Sequence, residues 1–148
     1  MFQFPSHIQT VGKKVEYLSQ VLMPAKRFDD YIDGMRDVMS ESVHYIDPVH
    51  EYRDRESALV MLRKYVPRSA NDDFEFALIS DTPTEVIWRW RISLKIRFTW
   101  FKFVIHGLVH ARVVDGKVVY QREYYDPMES IGMIPIVGRL YKLVLQLG

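Results

Sequence analysis

Five histidines, nineteen acidic residues and no cysteine bound the chemistry open to this chain of 148 residues. Thiolate nucleophiles, disulfides and sulfur-ligated zinc are excluded, while carboxylates and imidazoles are present for acid–base work. Three residues stand out for it: Asp47, directly before Pro48, and His110 and Glu123 near the end of the chain. A residue before proline is pushed out of the helical region into an extended conformation. Asp47 therefore reads as a carboxylate delivered at a strand end, with its direction set by the backbone. The plainer alternative is a loop tie, because Asp-Pro is also an ordinary turn initiator.

Hairpin geometry relates the other two. Asp115-Gly116, between Val114 and Lys117, is a strong signal for a two-residue turn. Counting outward from it puts His110 opposite Gln121, Leu108 opposite Glu123 and His106 opposite Tyr125, all on one face. Glu123 is then diagonal to His110 and can fix its imidazole tautomer for acid or base work. Two structural alternatives stay open: His110 bonded to Gln121 in the core, and Glu123 paired with Arg112 or Arg122. His106 and His110 would lie about 13 Å apart along a strand, too far for one metal ion. A site through His44 and His50 is not expected, nor is any cofactor.

The elements that must position these residues come in two blocks. Ile8, Val11, Val15, Leu18 and Leu22 recur at helical spacing behind a candidate cap at Ser6, and Met23-Pro24 closes the pattern. A second helix runs from Phe28 to Met39, with Asp29, Asp30 and Asp33 in its first turns, and Ser40-Glu41-Ser42 ends it. Val43 to Ile46 is a short strand leading to Asp47. Asp54 then caps a third helix, carrying Ala58, Leu59, Leu62, Tyr65 and Val66 inward, which Pro67 stops.

From Phe74 the period changes to two. Phe76 and Leu78 belong to one strand; Val86, Trp88, Trp90, Ile92, Leu94 and Ile96 form the apolar face of the next. Its other face carries Arg89, Arg91, Lys95 and Arg97 and reads as solvated. Phe101 to Val114 and Lys117 to Tyr125 complete the hairpin. The fold class is α+β, a single domain over 1–148, with helices first and sheet second. Ile131 to Leu147 is apolar but holds Gly132, Pro135 and Gly138. It reads as a C-terminal helix docked on the domain or across a pocket mouth, not as a membrane span.

Twenty basic against nineteen acidic side chains leave a formal charge of +1, so no field exists to draw in nucleic acid or anionic lipid over distance. With no signal-like N-terminus and no span, a cytoplasmic location is the simplest expectation. An aromatic content of 14% suits either a deep core or the walls of a ligand cavity. Trp88 and Trp90 would be such walls, and Gln121, Tyr125, His106 and Leu108 would share the cavity face. Val109, Ala111, Val113 and Tyr120 fall on the opposite face, where so much apolar surface asks for a partner.

The order of three helices and a sheet, the Asp47-Pro48 step, and the run from Gly107-Leu108-Val109-His110 through Asp115-Gly116-Lys117 to Arg122-Glu123-Tyr124-Tyr125-Asp126 resemble the nuclear transport factor 2-like superfamily, and within it the bacterial SnoaL-like members. That resemblance implies a strongly curved antiparallel sheet wrapped around the helices as a cone with an internal pocket, in a homodimer. It implies a small hydrophobic ligand and, for the ketosteroid isomerases of the superfamily, a general-base Asp that falls on Asp47. Their acidic donor on the penultimate strand falls on His110. Their helix-one Tyr has no counterpart beyond Tyr17, which lies only in the vicinity. The epoxide hydrolases' Arg and Asp, one residue apart, are not matched by Arg89-Trp90-Arg91. Asp126 resembles the carboxylate that closes the last strand in the polyketide cyclases. Two readings follow: an isomerase, cyclase or dehydratase using Asp47, His110 and Glu123, or a ligand-binding or dimerising module without chemistry.

Overall fold

The computed structural model describes residues 2–70, 73–95, 102–127, 139–140, 143–144 and 146. Three α-helices precede most of a six-stranded sheet, in the α+β order expected. The first, α1 (Val11–Tyr17), runs on into a π-helical stretch, Leu18–Leu22. Its cap is Thr10, not Ser6: Thr10 accepts from Lys13 N at 3.3 Å and donates to Asp81 Oδ2 at 2.5 Å. Asp81 Oδ1 also accepts from Gly12 N, so the end of a strand holds the start of the helix.

Helix α2 (Phe28–Val38) turns Tyr31, Ile32, Met35 and Val38 inward and ends where Met39 becomes extended. Strand β1 (Met39–Ile46) begins there, so Ser40-Glu41-Ser42 belong to the strand they were expected to precede. After a two-residue strand β2 (Glu51–Tyr52), Asp54 accepts from Ser57 N at 2.8 Å and caps α3 (Arg55–Ser69). Pro67 lies inside this helix instead of ending it. Near a helix end a missing N–H forfeits a single bond, and Ser69 Oγ donating to Tyr65 O and Ala70 N donating to Val66 O close the turn.

Strands β3 (Glu75–Asp81), β4 (Glu85–Lys95), β5 (Lys102–Val114) and β6 (Lys117–Tyr124) complete the sheet, in the order β2-β1-β6-β5-β4-β3. The β1–β6 pair is parallel and the other pairs antiparallel, so the sheet is mixed where an antiparallel one was expected. Register shifts interrupt the β1–β6, β3–β4 and β5–β6 ladders. Bulges of this kind bend a strand and increase its twist, which curves the sheet around the helices.

The β5–β6 shift decides which side chains face inward. Asp115 and Gly116, both at positive φ, make the expected turn, and Val114 pairs with Lys117. Val113 pairs with Val118, but Arg112 pairs with Tyr120, leaving Val119 as an extra residue. Beyond it every partner moves by one and every side chain changes face. Val109, Ala111 and Val113, expected on an outer dimer surface, are buried in the core with Val118, while Tyr120 is on the other face against His44. The expected C-terminal helix over 131–147 lies largely outside the described residues. Among those described, no helix is long and apolar enough to cross a membrane.

Trp90 on β4 pairs with Gly107 on β5, and its indole lies over that glycine. A Cβ there would come within 2.2 Å of the ring. Gly107→Ala must therefore displace Trp90, and we expect a loss of about 1–3 kcal/mol in denaturant unfolding with altered tryptophan fluorescence. Unchanged stability and emission would show that the ring does not pack there.

Candidate functional site

The curved sheet and the helices enclose a cavity of about 440 Å³, a size in the range of small-molecule sites. Phe76, Trp88, Trp90 and Ile92 form its sheet wall, with Ile105 from β5. Met23, Tyr31 and Met35 close it on one side, and Met61, Leu62 and Val66 of α3 on another. The side chain of Leu94, which the alternation puts on the same apolar strand face as Trp88 and Trp90, lies outside the described residues. Alternation alone turns these β4 residues inward, since Arg89 and Arg91 between them face out.

One end of the cavity is polar. Asp47, His50, Tyr45, Gln121, Glu123 and Tyr125 converge there. Asp47 follows β1, is 8% exposed, and faces the cavity. Its Oδ1 accepts from Val49 N at 2.7 Å and His50 N at 2.8 Å, so it also ties its own loop. His50 Nδ1 lies 3.1 Å from Oδ2, Tyr45 donates to Oδ2 at 3.5 Å, and Tyr125 hydrogen-bonds the same carboxylate. The imidazole of His50 stacks on Tyr52 at 5.8 Å. Glu123 accepts from Gln121 Nε2 at 3.1 Å and hydrogen-bonds Tyr45.

The electrostatics follow from this crowding. Burial, with Asp47 nearby, pushes the Glu123 carboxyl up to about 7 despite the hydrogen bonds from Tyr45 and Gln121. Burial beside Glu123 and Asp47 likewise raises the Tyr45 phenol well above its usual value, and burial raises Tyr125. Burial also raises Tyr31. The site is thus a set of protonated phenols around two carboxyl groups, one of which holds its proton close to neutrality. Such an arrangement can take a proton from a bound molecule and donate hydrogen bonds to an oxygen that gains charge.

Of the residues singled out from sequence, Asp47, Glu123, Gln121, Tyr125, Trp88 and Trp90 line the cavity. His110, His106 and Leu108 do not. The extra residue at Val119 pairs His110 with Arg122 and Leu108 with Tyr124 on the outer face, where His110 Nε2 meets Glu85 Oε2 at 2.8 Å. Leu108 is 41% exposed, and His106 is exposed beside Arg91. The imidazole–carboxylate pair at the cavity is instead His50 with Asp47. Tyr17 packs on Phe2 and Phe4, and Tyr45 is the phenol beside the carboxylates. Tyr45 was legible as the residue sharing Asp47's face two positions earlier. His50 follows from a turn closing on Asp47, three residues before it.

A raised carboxyl pKa carries a definite sign. The unfolded chain ionises Glu123 near 4.5 while the folded one keeps the proton to about 7, so stability falls between those limits and levels off above. A shift of that size corresponds to at most about 3.5 kcal/mol. Glu123→Gln should therefore be more stable than the wild type at pH 8, with the difference vanishing near pH 4. A constant difference in urea unfolding across that range would show that Glu123 titrates normally.

The profile of the SnoaL-like domain family matches residues 28–121, more than half of the chain. No curated protein matches. Among solved structures, a protein from Jannaschia sp. CCS1 named as a SnoaL-like polyketide cyclase aligns with a TM-score of 0.64 at 16% identity, over 89% of this chain and 96% of the other. An NTF2-like protein of unknown function from Exiguobacterium sp. 255-15 aligns at 0.55 and 20% identity, over 76% and 98%. An LEH-like epoxide hydrolase of M. tuberculosis aligns at 0.58 and 16%, over 92% and 96%. At these identities the structures establish the shared cone-like fold alone. Together with the family match, they make this chain a member of the SnoaL-like domain family, with the NTF2-like fold.

Proposed function

We propose that the chain binds a small hydrophobic molecule in the cavity and moves a proton on it, as an isomerase, cyclase or dehydratase does, with Asp47 as the general base. The observation that carries this is the pair of carboxyl groups, Asp47 and Glu123, set among phenols at one end of a cavity whose other lining is mostly apolar, with Ser19, Arg68 and Ser69 as its further polar residues. Asp47 would take a proton from carbon next to a carbonyl. Glu123, raised toward its neutral form, would donate a hydrogen bond to the oxygen that becomes negative. His110, on the outer face, has no part in this. Arg89 and Arg91 face outward too, which speaks against the epoxide-hydrolase chemistry named for one structural relative.

A reading without catalysis draws on the two backbone N–H groups that Asp47 accepts. Native mass spectrometry of the purified protein tests for a bound carbonyl compound, and such a compound separates the two. Incubated in D₂O, it should gain deuterium next to its carbonyl in the presence of wild type. Asp47→Asn should slow this by about a hundredfold or more and melt close to the wild type, because an amide oxygen can still accept from Val49 and His50. If Asp47 only ties the loop, exchange is unaffected and Asp47→Asn is destabilised by about 1–2 kcal/mol through loss of its charge-assisted bonds.

A homodimer through the outer sheet face belongs to the same proposal. Leu108 and Tyr124, paired across β5 and β6, are 41% and 48% exposed there. Sedimentation at micromolar concentration should give a dimer that Leu108→Lys dissociates, and a wild-type monomer would end this part. The proposal also places the protein in the cytoplasm, which cell fractionation tests.

A further inference from the structure

We infer that Arg68 is the recognition group at the opening of the cavity, and that the ligand is an organic acid whose apolar body lies inside while its carboxylate pairs with the Arg68 guanidinium. This rests on the small-molecule reading above and adds the chemical class of the ligand.

The opening is marked by the lining residues that also meet solvent. Val49 is 65% exposed, Tyr65 is 38% exposed, and Arg68 is exposed as well. The rim therefore runs from the loop after β1 to the last turns of α3, and the His50 and Tyr65 rings, with centres 6.0 Å apart, join the two. Tyr65 also carries the basic groups of this rim: Arg68 Cζ is 5.9 Å from the centre of its ring and Lys64 Nζ is 5.3 Å from it. Such cation–π contact holds a guanidinium without using its N–H donors.

Other arginines packed on the helices are engaged by carboxylates: Arg36 and Arg55 by Glu56, and Arg63, on α3 itself, by Asp29. Arg68 has no hydrogen bond or ion pair among the described residues. As a base in the last turn it is attracted to the helix C-terminus, which leaves its N–H donors unused. A guanidinium in that state, at the edge of an apolar-walled cavity, matches a carboxylate, which it meets through two parallel hydrogen bonds. Deeper in, the Asp47 charge opposes an anion, and a carboxylate there would lose its hydration. At the rim it keeps part of its water and finds the opposite charge. The walls, from Phe76 through Trp88 and Trp90 to Met61, receive the body. An oxo acid would thus set its carbonyl toward Asp47 and its carboxylate at Arg68.

The test is isothermal titration calorimetry at about pH 6, where Glu123 mostly keeps its proton and an arylacetic acid has lost its own. The probes are 2-naphthylacetate, its amide and 2-naphthylethylammonium. Wild type should bind the carboxylate about threefold to tenfold more tightly than the amide, the scale of a partly exposed bidentate pair, and the ammonium more weakly than the carboxylate. Arg68→Gln should bring carboxylate and amide within about twofold of each other, whereas Lys64→Gln, outside the lining, should keep the preference. Equal binding of carboxylate and amide by wild type, or preference for the ammonium, would overturn the ligand class while leaving the cavity reading intact. A preference for the carboxylate that survives in Arg68→Gln, or that Lys64→Gln loses equally, would remove Arg68 as its cause. If no probe binds at millimolar concentration, the small-molecule reading falls and the inference falls with it. The wild-type comparison decides even if a variant does not fold.

Discussion

Burying one carboxyl group beside another costs free energy, and in this chain the register of a single strand imposes that cost. Val119 has no partner on β5, so the residues after it exchange faces and Gln121 and Glu123 turn under the helices. Had the ladder continued without it, Arg122 and Tyr124 would point into the cavity and Glu123 into solvent. The sheet keeps the bulge although it brings Glu123 toward Asp47 and holds its proton to about 7. Tyr45 and Gln121 offset part of the penalty by hydrogen bonding, and the remainder is stored at the site. Strain retained at one point of an otherwise consistent fold is a usual mark of function.

The rest of the molecule gives this polar end its surroundings. Asp81 ties the first helix to the end of β3, Asp54 starts α3, and the alternation of β4 turns Trp88 and Trp90 inward while Arg89 and Arg91 stay outside. Gly107 leaves room for the Trp90 indole, which occupies the space a Cβ there would need. Apolar walls lower the local dielectric, which strengthens each hydrogen bond at the Asp47 end and raises the Tyr45 and Glu123 pKa values. Walls and acid–base groups thus act as one unit, and a change in either alters the other.

How far this was legible depended on the range of the interactions involved. Period-two alternation located β3 to β6, the Asp115-Gly116 turn was readable because few other pairs adopt two positive φ values, and Asp47-Pro48 marked the end of β1. The bulge was not readable by counting: Val118-Val119-Tyr120 is an unbroken apolar run that fits either register. From that one residue came the misplacement of His106, Leu108 and His110, and of Val109, Ala111 and Val113. Pro67 within α3 and the parallel β1–β6 pairing depend on tertiary packing that no local pattern encodes. His50 reaches the site through a turn closed by Asp47's own side chain, which the Asp-Pro signal hinted at without assigning the partner.

Glu123 shares an apolar-walled site with Asp47, and the ¹³C chemical shift of the Glu123 carboxyl carbon, followed through a pH titration, reads that placement. A midpoint close to 7 that falls back when Asp47 is replaced by Asn is the result expected, since Asp47's charge is one of the causes of the shift. A midpoint near 4.5 in the wild type, the ordinary value for an exposed glutamate, would mean that β6 runs without its bulge and that the site is not assembled as described.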